Sequence, residues 1–222
     1  PLVSNQQSSV DHSRERQSFD QGSLHILFGG DMMFDREIRR KAGKGGYDFI
    51  FSDLEGIFSS ADIVMANLEG PITSQSSKSL GSKMGEARNY VFTFDPAVSS
   101  TLQRNHISVV NLGNNHILNF GKDGLAETRR YLEEAGVEYF GDPLDTSHRW
   151  LLKELNGVKI AFVNYNQFAT GGQESAFEDI KQARSKSDIV IMYTHWGNEY
   201  VPANDTQKRL AHAFIDAGAD AV

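Results

Sequence analysis

Four apolar runs in this 222-residue chain end in side chains able to hold a cation or move a proton. Gly29-Gly30-Asp31 follows the run 24–28, and Asn67-Leu68-Glu69 follows 63–66. Gly113-Asn114-Asn115-His116 closes 107–112, and Thr194-His195-Trp196-Gly197 closes 189–193. Carboxylate, amide and imidazole from separate segments make a mixed oxygen and nitrogen set, which suits Mn²⁺, Fe²⁺ or Zn²⁺ better than the all-oxygen cage of Ca²⁺. Each residue alone also has an ordinary use. Asp31 after two glycines can shape a turn, Glu69 before Gly70-Pro71 can be solvated, Asn115 can bond backbone, and His195 beside Trp196 can sit half-buried with its nitrogens paired. Their recurrence in chain order at the ends of successive runs favours one shared divalent-metal site. His116, next to Asn115, is placed to protonate a leaving oxygen, work that an ordinary imidazole pKa of about 6.5 suits. The other histidines, His12, His25, His106, His148 and His212, read as structural or solvent-facing. Cysteine is absent, so thiol nucleophiles, thiolate metal sites and disulfides are excluded.

The elements that must position these residues follow from the same pattern. Nearly continuous apolarity in runs 24–28, 63–66, 107–112, 160–163 and 189–193 predicts strands buried on both faces, in a sheet covered by helices. In such sheets ligands bind beyond the carboxyl ends of the strands, which is where the four polar endings fall. A helix is predicted over 124–135, with Leu125, Thr128, Leu132 and Ala135 on one face and Gly136 as its stop. A second is predicted over 206–217, with Asp205 as N-cap and Gly218 after it. The runs 150–155 and 158–163 flank Asn156-Gly157, a dipeptide suited to a tight antiparallel turn, so mixed strand directions are expected. The fold class is therefore α/β, a sandwich of mixed β-sheets flanked by helices. The Ser, Gly and Lys-rich stretch 73–88 reads as a long loop, and its Lys78, Lys83 and Arg88 are the available cationic cluster after Glu69.

The net charge of −7 leaves no basic stripe for a phosphate backbone, so no nucleic-acid partner is expected. Nor does it give any general attraction for a polyanion, so an anionic polymer would need a local patch such as Lys78, Lys83 and Arg88. No apolar run approaches the ~18 residues of a membrane-spanning helix, and no cleavable signal is evident. Residues 1–23 are polar, show no sustained period and read as a tail or linker before a domain over 24–222. The start at Pro1 is consistent with a trimmed chain, and Gly218-Ala219-Asp220-Ala221-Val222 reads as the opening of another buried strand whose polar end would lie beyond Val222.

Several segments together resemble the bacterial capsule and poly-γ-glutamate synthesis (CapA-type) family of the calcineurin-like metallophosphoesterase superfamily. They are Phe28-Gly29-Gly30-Asp31-Met32-Met33, Ala66-Asn67-Leu68-Glu69-Gly70-Pro71-Ile72-Thr73, Asn114-Asn115-His116 and His195-Trp196-Gly197-Asn198-Glu199-Tyr200, with Gly124-Leu125, Thr128, Gln207, Leu210-Ala211 and Asp216-Ala217-Gly218-Ala219-Asp220. The resemblance implies a metallophosphoesterase-like fold in which Asp31, Glu69, Asn115 and His195 hold one or two divalent ions (Mn, Fe or Zn), Glu69 bridges, and His116 is the acid. Three departures bear on that. Met33 stands where metallophosphoesterases place a His, weakening one metal position. Asn119 stands where an Asp is common, removing a carboxylate that would orient the site. The chain stops before a histidine-rich segment, so low metal occupancy and little activity are expected of these 222 residues. The function implied is metal-dependent hydrolysis or transfer at a phosphoester-like centre in cell-envelope polymer production. The other reading is a non-catalytic subunit that binds or exports an anionic polymer, or its precursor, beside a membrane synthase. The resemblance implies an extracytoplasmic, cell-envelope location, anchored through a segment outside this chain, and the residues leave a cytoplasmic one open.

Overall fold

The computed structural model describes residues 23–222, so the tail expected over 1–23 lies outside the described residues apart from Ser23. In chain order they form β1 (Ile26–Met32), α1 (Arg36–Ala42), α2 (Glu55–Phe58), β2 (Ile63–Leu68), α3 (Ala97–Arg104), β3 (Val109–Asn111), α4 (Gly121–Ala135), β4 (Glu138–Phe140), β5 (Trp150–Leu155), β6 (Val158–Asn166), α5 (Gly172–Arg184), β7 (Ile189–His195) and α6 (Asp205–Asp216). Strands β1-β2-β3-β4 make one parallel sheet. In the second, β5-β6-β7, β5 runs antiparallel to β6 and β7 parallel to it. The fold is the expected α/β class, with two sheets flanked by helices. Mixed strand direction is confined to the second sheet, because the hairpin supplies the antiparallel pair. Strand β4 was not expected, since three residues are too few to show a period.

Alternation along the strands builds the layers. Ile63 and Met65 of β2, Val109 of β3, and Ile160 and Phe162 of β6 point into a layer between the sheets. Val64, Leu68 and Val110 point the other way, onto Val98 and Leu102 of α3 and Leu125 and Leu132 of α4. Ala161, Val163, Val190 and Met192 pack against Ala176, Ile180 and Ala183 of α5 and Phe214 of α6. The order is helix, sheet, sheet, helix, and both sheets are covered on both faces. That is why their strands read as near-continuous apolar runs.

Local chemistry explains where the elements stop. Asn156 and Gly157 both take positive φ, 52° and 80°, and close the hairpin with Leu155 opposite Val158. Helix α4 starts at Gly121, three residues earlier than the pattern 124–135 suggested, and ends at Gly136 in the left-handed conformation with φ 71°. The cap expected at Asp205 is instead Asn204. Its side chain accepts from the Gln207 N–H at 3.0 Å while Gln207 Oε1 accepts from the Asn204 N–H at 2.9 Å, a reciprocal pair that places Asp205 inside the first turn. The stretch 218–222, expected to open a strand, makes one parallel bridge, Ala221 to Ile191. Among the described residues no helix is long and apolar enough to cross a membrane.

Candidate metal centre

A β-bulge puts Asp31 in place. Phe28 pairs with Met65 but Asp31 pairs with Asn67, so β1 carries one extra residue across Gly29-Gly30. In regular, unbulged register Asp31 would stand opposite Leu68 and its side chain would turn to the other face. The bulge needs Gly29, because a Cβ there would lie 2.9 Å from the Ala66 Cβ.

Asn67 is the hub. Its Nδ2 donates to Asp31 Oδ1 at 2.8 Å and to Glu69 Oε2, and its Oδ1 accepts from Asn111 Nδ2 at 2.9 Å and Asn114 Nδ2 at 3.0 Å. Carboxylates can only accept and the two neighbouring amides donate, so the orientation of the Asn67 amide is determined. Buried Asn67 thus ties β1, β2 and the turn after β3 together beneath the two carboxylates.

His195 comes from the other sheet. Its Nδ1 lies 3.6 Å from Asp31 Oδ1, and its Nε2 lies 3.6 Å from Glu69 Oε1 and 2.8 Å from Asn115 Oδ1. The following Trp196 packs against Tyr165 and Phe214, with ring centroids 5.8 and 6.4 Å away, which anchors the end of β7. His116 Nε2 stands 3.7 Å from Glu69 Oε1, and its ring lies against Phe92 at 4.3 Å. Asn119 has no carboxylate to offer, but its amide Oδ1 accepts the Phe92 N–H at 2.7 Å and lies 3.2 Å from His116 Nδ1. An oxygen acceptor there makes Nδ1 the protonated nitrogen and turns Nε2 toward Glu69.

Burial pushes the Glu69 carboxyl up to about 7, the Asp31 and Glu199 charges adding to it against the pull of His195 and Asn67. Asp31 moves the other way, held below the usual carboxylate range first by its bond with His195. Burial alone would lower His195, but the Asp31 bond and the two carboxylate charges outweigh it and hold the ring above its ordinary value. His116 is lowered, chiefly by burial.

The structure brings Asp31, Glu69, Asn115, His116 and His195 into one cluster. Asp31, Glu69 and His195 each offer a ligand atom, all within 4.8 Å of one another. Two carboxylates, an imidazole and a neighbouring amide oxygen form a donor set that fits a divalent first-row ion. The expected cations lie apart from this cluster's bonds. Arg88 pairs with Glu86 at 2.6 Å, Lys78 rests 5.0 Å over the Phe120 ring, and Lys83 is exposed. None of the three forms an ion pair with Asp31 or Glu69 among the described residues. Sequence reasoning missed Arg36 and the contacts that Asn67 and Asn119 make. Asn67 was legible only as part of Asn-Leu-Glu. Arg36 has φ 53°, uncommon outside glycine, and its guanidinium sits 4.7 Å over Phe92 and 5.5 Å over Tyr90 while donating to the Asn89 carbonyl. Its charge is close enough to His116 to disfavour the imidazolium.

Strand-end carboxylates, amide and imidazoles in a two-sheet α/β sandwich define a candidate metal-binding protein. The description "Bacterial capsule synthesis protein PGA_cap" matches residues 25–222, and the chain belongs to that family. It is 29% identical over 217 residues to the "PGA biosynthesis protein CapA" of Bacillus subtilis (strain 168), covering 90% of this chain and 56% of that protein. It is 24% identical over 220 residues to the "Capsule biosynthesis protein CapA" of Bacillus anthracis, covering 90% of this chain and 53% of that protein. The chain thus spans about half the length of these relatives. Among solved structures it is similar to a hypothetical protein from Thermus thermophilus, with 20% identity, TM-score 0.48 and coverage of 88% of this chain and 65% of that one. It is also similar to a phosphatase from Mycoplasma pneumoniae, with 18% identity, TM-score 0.43 and coverage of 88% and 60%.

Proposed function

We propose that this chain carries the divalent-metal site of a capsule or poly-γ-glutamate synthesis protein of the cell envelope, and that the site hydrolyses or transfers a phosphoester-like group. The observation that carries the reading is the convergence of Asp31, Glu69 and His195 within 4.8 Å, with Asn115 on His195 and His116 beside Glu69. A bound divalent ion would supply Lewis-acid polarisation and a lowered pKa for water. The chain's own residues supply the rest. His116 holds or releases a proton at Nε2 while Asn119 retains the proton on Nδ1. Asn67 keeps both carboxylates aimed at the same point, and Arg36 adds positive charge beside His116 for an anionic substrate.

The test is turnover of simple phosphoesters by the full-length protein reconstituted with Mn²⁺, Fe²⁺ or Zn²⁺, beside these 222 residues as the low-activity comparison. Expected are metal-dependent turnover, a loss of roughly 10²–10⁴-fold in His116→Ala with metal content retained, and loss of metal in Asp31→Ala and His195→Ala. Fully metal-loaded protein with no turnover, but with salt-sensitive polymer binding abolished by neutralising Lys78, Lys83 and Arg88, would replace this reading with a non-catalytic polymer-binding subunit.

A further inference from the structure

Of the five partly buried arginines among the described residues, Arg39, Arg129, Arg149 and Arg184 each form an ion pair with an aspartate. Arg36 forms none among the described residues. Taking a guanidinium out of water without a counter-charge is costly, so a partly buried arginine that lacks one within the chain calls for an anion from outside. The neighbouring carboxylate, that of buried Asp35, is already engaged. It accepts the N–H groups of Arg36 and Thr93, each at 2.9 Å, and the Ser77 hydroxyl at 2.6 Å.

The guanidinium is fixed before any ligand arrives. Its Nε and Nη2 both donate to the Asn89 carbonyl, at 2.9 and 2.6 Å, and its carbon lies over the rings of buried Phe92 and exposed Tyr90. The backbone at Arg36 is held at φ 53°, a conformation that costs an arginine energy and persists only where the surroundings impose it. Nη1 is left over. It has no hydrogen-bond partner among the described residues and is not one of the atoms buried without a partner, so its N–H groups are open to solvent.

The position of this donor selects the part of a ligand it can meet. Phe92 touches both Arg36 and His116, its ring centroid lying 4.7 Å from the guanidinium carbon and 4.3 Å from the imidazole. Arg36 makes no ion pair with Asp31 or Glu69 and stands instead beside His116, on the side that serves the leaving oxygen. We propose that Arg36 is a specificity-determining residue that binds a second anionic group, a carboxylate or a phosphate, on the leaving portion of the substrate. The inference rests on the reading of the site as a phosphoester-processing centre, since His116 has a leaving oxygen to serve only in that reaction. A charge-assisted hydrogen bond from a pre-oriented donor holds the leaving portion without taking part in bond breaking, so its signature is a preference among substrates.

The experiment uses the full-length protein loaded with Mn²⁺ and three phenyl phosphates that differ only at the para position, which carries a carboxylate, its neutral methyl ester or a second phosphate. The released phenols are titrated by calorimetry into chelator-treated protein, a readout that needs no turnover. In kcat/KM the parent should favour the charged substrates over the ester by a margin roughly tenfold or more greater than Arg36→Met or Arg36→Gly does, and its affinity for the charged phenols should exceed theirs by a similar factor. Glycine accepts φ 53° without strain, so Arg36→Gly serves if Arg36→Met fails to fold. The charged substrate with the larger margin distinguishes carboxylate from phosphate as the group recognised. The same margin in parent and folded variants would overturn the proposal and leave metal-dependent hydrolysis standing. No turnover of any substrate by metal-loaded protein, with charged phenols bound by the parent and not by the variants, would overturn the hydrolytic reading and support the anion site at Arg36. Absence of both turnover and phenol binding would overturn both.

Discussion

Asn67 uses all of its hydrogen-bonding capacity to hold two acidic side chains side by side, and Glu69 bears the cost. With its folded pKa raised to about 7 from an ordinary 4.5, the metal-free folded state binds this proton more tightly than the unfolded state does. The stability it contributes is complete below the unfolded value and is lost as pH rises through about 7, a loss on the order of 3 kcal/mol. Urea midpoints of chelator-treated protein should therefore fall between about pH 4.5 and 7.5, and Glu69→Gln should lessen that fall. Binding a cation requires the ionised carboxylate, so Mn²⁺ affinity should rise over the same interval in the parent protein and not in Glu69→Gln. Asn119 gives a second test. Asn119→Leu leaves the Phe92 N–H without its acceptor, costing about 1–3 kcal/mol, and frees the His116 tautomer. Asn119→Asp keeps the acceptor and adds a negative charge that should raise the His116 pKa, measurable by NMR titration of its ring protons.

The elements that carry the site depend on a few local irregularities. Gly29→Val would drive a branched side chain into Ala66 and force the bulge to reset. Because the bulge decides which face Asp31 occupies, the expected result is a larger loss in metal affinity than in melting temperature, read by metal titration beside thermal unfolding. Helix α6 offers the opposite case. Asn204→Ala removes one half of the reciprocal cap, and should lower stability by about 1 kcal/mol while leaving metal affinity within twofold. Together the two variants separate an element that aims a ligand from one that supports the frame.

Across the whole molecule, the candidate ligands come from both sheets. Asp31, Glu69 and Asn115 belong to the first and His195 to the second, so the layer between the sheets sets their spacing. Phe162 is fully buried in that layer, in contact range of Phe140 and Phe28. Phe162→Ala should cost about 3–5 kcal/mol. A milder Phe162→Leu should weaken metal binding beyond what its stability loss explains, if sheet spacing positions His195, and equilibrium unfolding with and without metal measures both effects.

The doubly covered strands follow from residue order alone, because burial on both faces demands uninterrupted apolar runs such as 63–66 and 160–163. Residue order also determined the hairpin, since Asn156-Gly157 tolerates two positive φ angles in succession, and the α4 stop, where Gly136 relieves the chain in the left-handed region. Asp31, Glu69, Asn115, His116 and His195 were legible because polar residues closing apolar runs collect at one edge of a sheet. The contacts of Asn67, Asn119 and Arg36 were not, as an amide or a guanidinium has no period and its partner is set by distance. That β1 slips by one residue at Gly29-Gly30, that β4 pairs at all, and that the mixed sheet is the second one emerge from packing across the whole fold. Register, cavities and side-chain partners are properties of how segments far apart in the chain pack together, and a local pattern contains the tendency of each segment but not the distance between them.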